Sequence, residues 1–307
     1  MEKLLFIILL IINPISGNAQ ESAPEKPDGY FSNLTLKISY TLGFLDLIET
    51  DFPLPDNVKE YKDIIYKTIE NKDLKLDIYH QKNILAAIPL IIFIHGGAWK
   101  KGDKHDYWPY LIPFAEKGYI TATIQYRLTG EAIFPAQLDD VVSAITWLQD
   151  HADEYHIDKN KIALVGGSAG GHLAMMAAYS DPSLNINGIV NLYGPSDLTT
   201  PYARETASAQ KLIGKTYQEA PELYKMASPI TYVSPDIPPT LIFQGTLDEL
   251  VPYQQSDNLD KKIKQAGAIS YYHKLKGWPH TMDMSVEVNE YCQYYMDEFF
   301  EKYITKN

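Results

Sequence analysis

Hydrophobic positions in this chain follow two different periods. Pro89–Ile94 is a continuous apolar run that ends at His95-Gly96-Gly97. A run without alternation suits a parallel strand buried on both faces. Tyr119–Tyr126, Lys161–Val165, Ile189–Tyr193, Thr240–Phe243 and Ile269–Lys274 read as further strands. Between them, Pro135–His151 carries Leu138, Val141, Val142, Ile145 and Leu148 at helical spacing. Gly170–Tyr179 places Leu173, Met176 and Ala177 on one helical face, and Asp257–Ala266 and Glu290–Phe300 read as helices. Upstream, Asp63–Ile69 and Lys75–His80 flank Asn71-Lys72-Asp73, which predicts a hairpin. Strands alternating with helices predict the α/β class, with a mostly parallel central sheet flanked by helices and an antiparallel start.

Three stretches break this rhythm. Residues 196–230 are polar and hold several Pro and Tyr residues, the pattern of a small cap insertion. Residues 20–29 read as a flexible leader, rich in Pro, Glu, Ser and Lys. Residues 30–57 admit two readings, an arm packed on the domain or part of a lid. No repeat or long linker interrupts residues 58–307, which therefore read as one catalytic domain.

At the start, Lys3 precedes the apolar run Leu4–Ile12, Asn13-Pro14 breaks it, and small residues follow at Ser16, Gly17 and Ala19. This order predicts a secretory signal peptide over residues 1–19, cut after Ala19 or after Gln20. The expectation is an exported protein, periplasmic or extracellular. The run is too short to span a bilayer comfortably, so no stable membrane insertion is expected after cleavage.

Charge and cysteine content narrow the partners. Lys plus Arg number 27 against 39 Asp plus Glu, a net charge of −12. Such a surface repels phosphate backbones and anionic head groups, so nucleic acid is not an expected partner. The one cysteine, Cys292, excludes an intramolecular disulfide and a cysteine-rich zinc site. It is expected half-buried on the last helix. Oligomeric state leaves no signature in the sequence.

The chemistry concentrates in a few loops. Gly166-Gly167-Ser168-Ala169-Gly170 fits G-x-S-x-G between an apolar strand and an apolar helix. That turn is tight, and it pushes the Ser168 hydroxyl out at the carboxyl end of the sheet, at a helix N-terminus. A glycine-rich turn of this kind can hold phosphate, but neither G-x-G-x-x-G nor G-K-[ST] is present.

A serine hydroxyl needs a base. His280, in Gly277-Trp278-Pro279-His280, lies on a loop between the last strand and the last helix. His80, His105, His151, His156 and His273 sit in or beside polar segments and are expected to be mostly solvated. The acid should precede the histidine in the chain. Asp248 follows the strand Thr240–Phe243, on the same sheet edge as Ser168. Glu249 is its nearest rival, and Asp283, after His280 on the same loop, is a poorer choice. His95-Gly96-Gly97-Ala98-Trp99 resembles an H-G-G-G loop, whose backbone N–H groups would meet an oxyanion together with that of Ala169. His95 itself reads as structural.

These segments, with Tyr126-Arg127-Leu128, Phe134–Asp140 and Ala227-Ser228-Pro229-Ile230, resemble the esterase/lipase branch of the α/β-hydrolases. The likeness is nearest to its carbohydrate-esterase-like, feruloyl-esterase-type proteins, and it spans residues 90–285. It implies an α/β-hydrolase fold and catalysis by Ser168, Asp248 and His280. It implies oxyanion donors at Gly97, Ala98 and Ala169, and a structural ion pair between Arg127 and Asp139. Two departures stand out: Ala98 replaces a third glycine, and Gly167 replaces the Asp that hormone-sensitive-lipase-like members carry before the nucleophile. The expected reaction is two-step ester hydrolysis without metal or cofactor. Small acyl esters are the expected substrates, acetyl or feruloyl groups on an acylated carbohydrate among them. Trp99, Trp278 and the tyrosines of residues 193–232 are candidate stacking faces for such a substrate. The rivals are formamidase- or peptidase-type hydrolysis, and a non-catalytic binding protein on the same fold.

Overall fold

In the computed structural model, which describes residues 23–306, the strands are β1 (Val58–Ile69), β2 (Lys72–Gln81), β3 (Ile88–Ile94), β4 (Ile120–Ile124), β5 (Ile157–Gly167), β6 (Gly188–Leu192), β7 (Thr240–Gly245) and β8 (Ser270–Leu275). They form one sheet in the order β1-β2-β4-β3-β5-β6-β7-β8. The β1–β2 hairpin pairs antiparallel, and β2 pairs antiparallel with β4. Every later pairing is parallel, from β4–β3 across to β7–β8.

The helices are α1 (Asn33–Thr41), α2 (Trp108–Glu116), α3 (Ala136–Asp150), α4 (Ala169–Ser180), α5 (Pro201–Glu205), α6 (Ala207–Ile213), α7 (Pro221–Met226), α8 (Gln254–Gln265) and α9 (Val286–Phe300). The uninterrupted run of β3 is explained by two cores. Leu90, Ile92 and Ile94 face Leu173, Val141 and Leu259 of α4, α3 and α8. Ile91 and Phe93 face Leu111, Phe114 and Met296 of α2 and α9. The sheet is therefore covered on both sides, and only its strand ends are open for chemistry.

Several expectations are corrected. Asp140, not Asp139, pairs with Arg127, at 2.7 Å from Nε and 2.9 Å from Nη2. Asp140 also takes Lys67 at 2.8 Å. The reason is helical phase: Gln137, Asp140, Val141 and Ala144 form the buried face of α3, while Asp139 is exposed. The described part of the leader is held rather than loose. Lys26 donates to the Lys274 carbonyl, and Pro27 accepts from Trp278. His80 is buried rather than solvated, and Cys292 is fully buried on α9. Helix α2 escaped the sequence reading because prolines at 109 and 113 mask it. Pro109 sits in the first turn, where the missing N–H costs nothing.

Residues 30–57 form an arm. Within it, α1 hydrogen-bonds through Asn33 Nδ2 to Glu249 at 2.6 Å, and Leu47 bridges to Ser285. Trp108 Nε1 donates to Phe52 at 3.0 Å. Residues 196–230 supply α5, α6 and α7, which pack over the carboxyl end of the sheet beside α4. No helix among the described residues is long and apolar enough to cross a membrane. The expected signal segment, residues 1–19, lies outside the described residues.

Candidate active site

Between β5 and α4 the chain turns at Ser168 with φ 54° and ψ −120°, an unusual backbone for a side chain with a Cβ. Strain of this kind persists only where the surroundings impose it. Here Ser168 N–H donates to the Leu192 carbonyl at 2.8 Å, and the Ser168 carbonyl accepts from His172 at 3.1 Å. Gly170 permits the turn because a Cβ there would meet the Ile94 carbonyl oxygen.

The loops after β5, β7 and β8 bring three side chains together. Ser168 Oγ lies 3.0 Å from His280 Nε2. His280 Nδ1 lies 2.7 Å from Asp248 Oδ2. A carboxylate only accepts, so Nδ1 carries the ring proton and Nε2 is left to take the hydroxyl proton. Asp248 is held by further donors: Leu250 N–H and Val251 N–H on Oδ1, at 2.9 and 2.8 Å, and Gln244 Nε2 on Oδ2, at 2.9 Å. Gln244 is itself fixed by Ser256 Oγ at 3.0 Å. The Asp248 side chain is fully buried and that of His280 nearly so. Gln244 and Ser256 carried no sequence signal, since nothing marks a buried amide inside an apolar strand.

The loop after β3 runs through Gly97, Ala98 and Trp99 with φ of 94°, 55° and 56°. Tyr126 OH donates to the His95 and Gly96 carbonyls at 2.9 and 3.2 Å, and the His95 ring stacks on Tyr126 at 4.2 Å. Burial lowers the His95 pKa and keeps the ring neutral, which fits a structural part. Gly97, Ala98 and Ala169 all border the space above Ser168. The N–H groups of Ala98 and Ala169 have no acceptor among the described residues. The arrangement can stabilise negative charge on an oxygen held beside Ser168.

Of the two tryptophans expected to touch substrate, Trp99 borders a cavity of about 290 Å³ beside Ser168, with its ring edge-on to His172. Trp278 does not border that cavity or the space above Ser168. Its ring is buried under the arm, edge-on to Tyr30 at 5.5 Å, with Nε1 donating to Pro27. The loop points it away from Ser168 while presenting His280. Tyr202 borders the same cavity as Trp99, whereas Tyr193 packs its ring 4.6 Å from that of His280.

Gly167 has a spatial cause as well. A Cβ there would lie 2.5 Å from Tyr107 OH and 3.1 Å from Tyr193 OH. The two tyrosines fill the room that a longer residue before Ser168 would need.

The sequence pattern of the BD-FAE family matches residues 76–263. The chain belongs to the BD-FAE family. Among curated relatives it is 30% identical over 265 residues to the esterase LipQ of Mycobacterium tuberculosis, covering 80% of this chain and 63% of LipQ. It is 30% identical to the probable carboxylic ester hydrolase LipM of the same organism, covering 68% of this chain and 53% of LipM. This BD-FAE chain thus spans between about half and two thirds of those relatives' length. A solved structure of a truncated carbohydrate esterase from gut microbiota superposes with a TM-score of 0.70 at 27% identity, covering 83% of this chain and 100% of that one. Esterase 2 of Thermogutta terrifontis, phosphonylated by cyclosarin, superposes with a TM-score of 0.69 at 25% identity, covering 83% and 98%. The α/β-hydrolase fold of this BD-FAE member is therefore shared with known esterases.

Proposed function

We propose that the protein hydrolyses carboxylic esters through an acyl-enzyme on Ser168. The observation that carries this reading is the hydrogen-bonded series Ser168–His280–Asp248 beside the free N–H groups of Ala98 and Ala169. Ser168 Oγ attacks the ester carbonyl as His280 Nε2 takes its proton. The carbonyl oxygen becomes an oxyanion facing the N–H groups of Gly97, Ala98 and Ala169. The C–O bond to the alcohol breaks, and His280 returns the proton to the leaving oxygen. Water then repeats the sequence on the acyl-enzyme and frees the acid. Asp248 holds the ring and offsets its transient positive charge throughout.

The relatives' names, esterase and carboxylic ester hydrolase, support this chemistry. Acetyl or feruloyl groups on polysaccharides are the proposed substrates, a reading supported by the carbohydrate-esterase likeness. Export is proposed from the leading sequence, and the mature N-terminus should begin near Gln20. An intact Met1 in the secreted fraction would refute that.

The deciding experiment is turnover of p-nitrophenyl acetate by the wild type and by Ser168→Ala. Loss of the nucleophile should lower kcat by at least about 10³-fold. Equal activity in the two proteins would sink the ester-hydrolase reading. Acetylated xylan, feruloylated arabinoxylan and a formyl amide, compared side by side, would then rank the acyl groups.

A further inference from the structure

Two cavities open on either side of Ser168 and His280, and their linings differ. The one of about 290 Å³ is walled by small apolar groups, among them Leu198, Ala203, Ala209 and Val251. The other, of about 380 Å³, is bordered by Ile48, Pro109, Leu250 and Met284 together with the exposed, charged Lys101 and Asp106. Its floor is polar: Asp283 with Tyr107, Tyr110 and Tyr193.

Asp283 is the unusual member. Its side chain is buried, yet it takes no part in the series from Ser168 to Asp248. Tyr193 OH donates to Oδ1 at 2.6 Å, and Tyr110 OH donates to Oδ2 at 3.1 Å. Its main-chain carbonyl accepts from Asn289 Nδ2 at 3.1 Å, which fixes the turn. Among the described residues no Lys or Arg forms an ion pair with it. Burying a carboxyl group without a cation is costly, and it persists where other donors compensate. A carboxylate offers about four lone-pair positions, so two tyrosine hydroxyls and the residue's own backbone N–H leave one to accept again. Asp283 is part of the cavity lining.

We infer that Asp283, set by Tyr110 and Tyr193, is a specificity-determining residue that accepts a hydroxyl group of the ester's alcohol portion, selecting a sugar-like polyol over an alkyl or aryl alcohol. The inference rests on the ester-hydrolase reading above. An alkyl or aryl alcohol in this cavity would strip water from the carboxyl oxygens and return nothing, which is the costly outcome for a buried polar group. A sugar hydroxyl would fill the remaining acceptor position, while the ring's C–H faces meet Pro109, Leu250 and Met284. Burial raises the Asp283 pKa, which makes the group a ready donor to a sugar oxygen once protonated.

The test uses the whole chain. kcat/KM is measured for p-nitrophenyl acetate and for a monoacetylated xylo-oligosaccharide, with wild type and with Asp283→Asn. The ratio of carbohydrate ester to aryl ester should fall by about tenfold to a hundredfold, the scale of hydrogen bonds to a charged group. A ratio within about twofold of wild type would overturn the inference. Tyr110→Phe is the second variant, in case the first does not fold. It keeps the ring, removes one donor to Asp283, and should move the ratio in the same direction by less. An unmoved ratio there would also count against the inference.

Binding without turnover gives an independent reading. Ser168→Ala is mixed with unacetylated xylotetraose and followed by saturation-transfer NMR. Adding Asp283→Asn to that variant should abolish the signal, and an equal signal would overturn the inference. If wild type hydrolyses neither ester, the ester-hydrolase reading falls, while the NMR comparison still decides the role of Asp283.

Discussion

Two buried carboxyl groups stand on either side of His280, and they are held by different kinds of donor. Asp248 receives two backbone N–H groups, the Gln244 amide and the imidazole itself. The side-chain donors to Asp283 are two phenol hydroxyls, beside its own backbone N–H. Backbone donors belong to the fold and cannot rotate away, so Asp248 is a fixed anchor for a ring that gains and loses a proton in the proposed mechanism. Phenol hydroxyls turn about their C–O bonds, so Asp283 sits in a shell that can readjust around an incoming group. Proximity to the same histidine therefore does not by itself define a carboxylate's task; its donors do.

The largest expected effect separates the two directly. Asp248→Asn should lower kcat on p-nitrophenyl acetate by about 10⁴-fold, because the amide stabilises the wrong ring tautomer. Asp283→Asn should cost less than about a hundredth of that loss, and equal losses would erase the distinction drawn here. A smaller effect tests the anchor's support. Gln244→Leu removes a donor from Asp248 and leaves Ser256 unpaired, so kcat should fall about tenfold while KM stays put. A KM change alone would mean that Gln244 shapes binding instead.

The smallest effect is on stability. Burial raises the Asp283 pKa in the folded state above its ordinary 3.8. The folded state therefore binds the proton more tightly than the unfolded chain, and this contribution is fully present below about pH 3.8 and lost as pH rises through the folded value. Urea midpoints at pH 4 and pH 7 should show Asp283→Asn gaining on wild type toward pH 7. A variant that loses ground to wild type between pH 4 and pH 7 would contradict the assigned direction.

The two groups also differ in how they could be found from sequence. Asp248 was legible because strand, loop and chain order converge on it. The strands, the four long helices α3, α4, α8 and α9 and the turn at Ser168 were legible for the same reason, since period and glycine placement are local. Asp283 was not, because Tyr110 and Tyr193 lie 173 and 90 residues away along the chain and no local pattern joins them. Phase errors account for other misses. Asp139 and Asp140 are adjacent in sequence, and only the helix's rotation decides which one enters the core. Trp278 looked like a sugar platform by its nearness to His280, but the turn at Gly277 directs its ring under the arm. The arm's docking runs through backbone atoms, such as Tyr30 N–H to the Gly277 carbonyl at 2.8 Å, and backbone atoms carry no compositional mark.

That docking has a consequence for the order of events during synthesis. Pro27 and Trp278 are 251 residues apart, so the arm leaves the ribosome long before its partner exists. Its contacts close a loop that spans most of the chain, and contacts of such separation form late. The same final stretch delivers His280. A chain stalled before Gly277 would carry a formed elbow, but Pro27 and Tyr30 would lack their partners Trp278 and Gly277. The last arm contacts and the arrival of His280 are thus tied to one moment, the completion of the last strand and its loop.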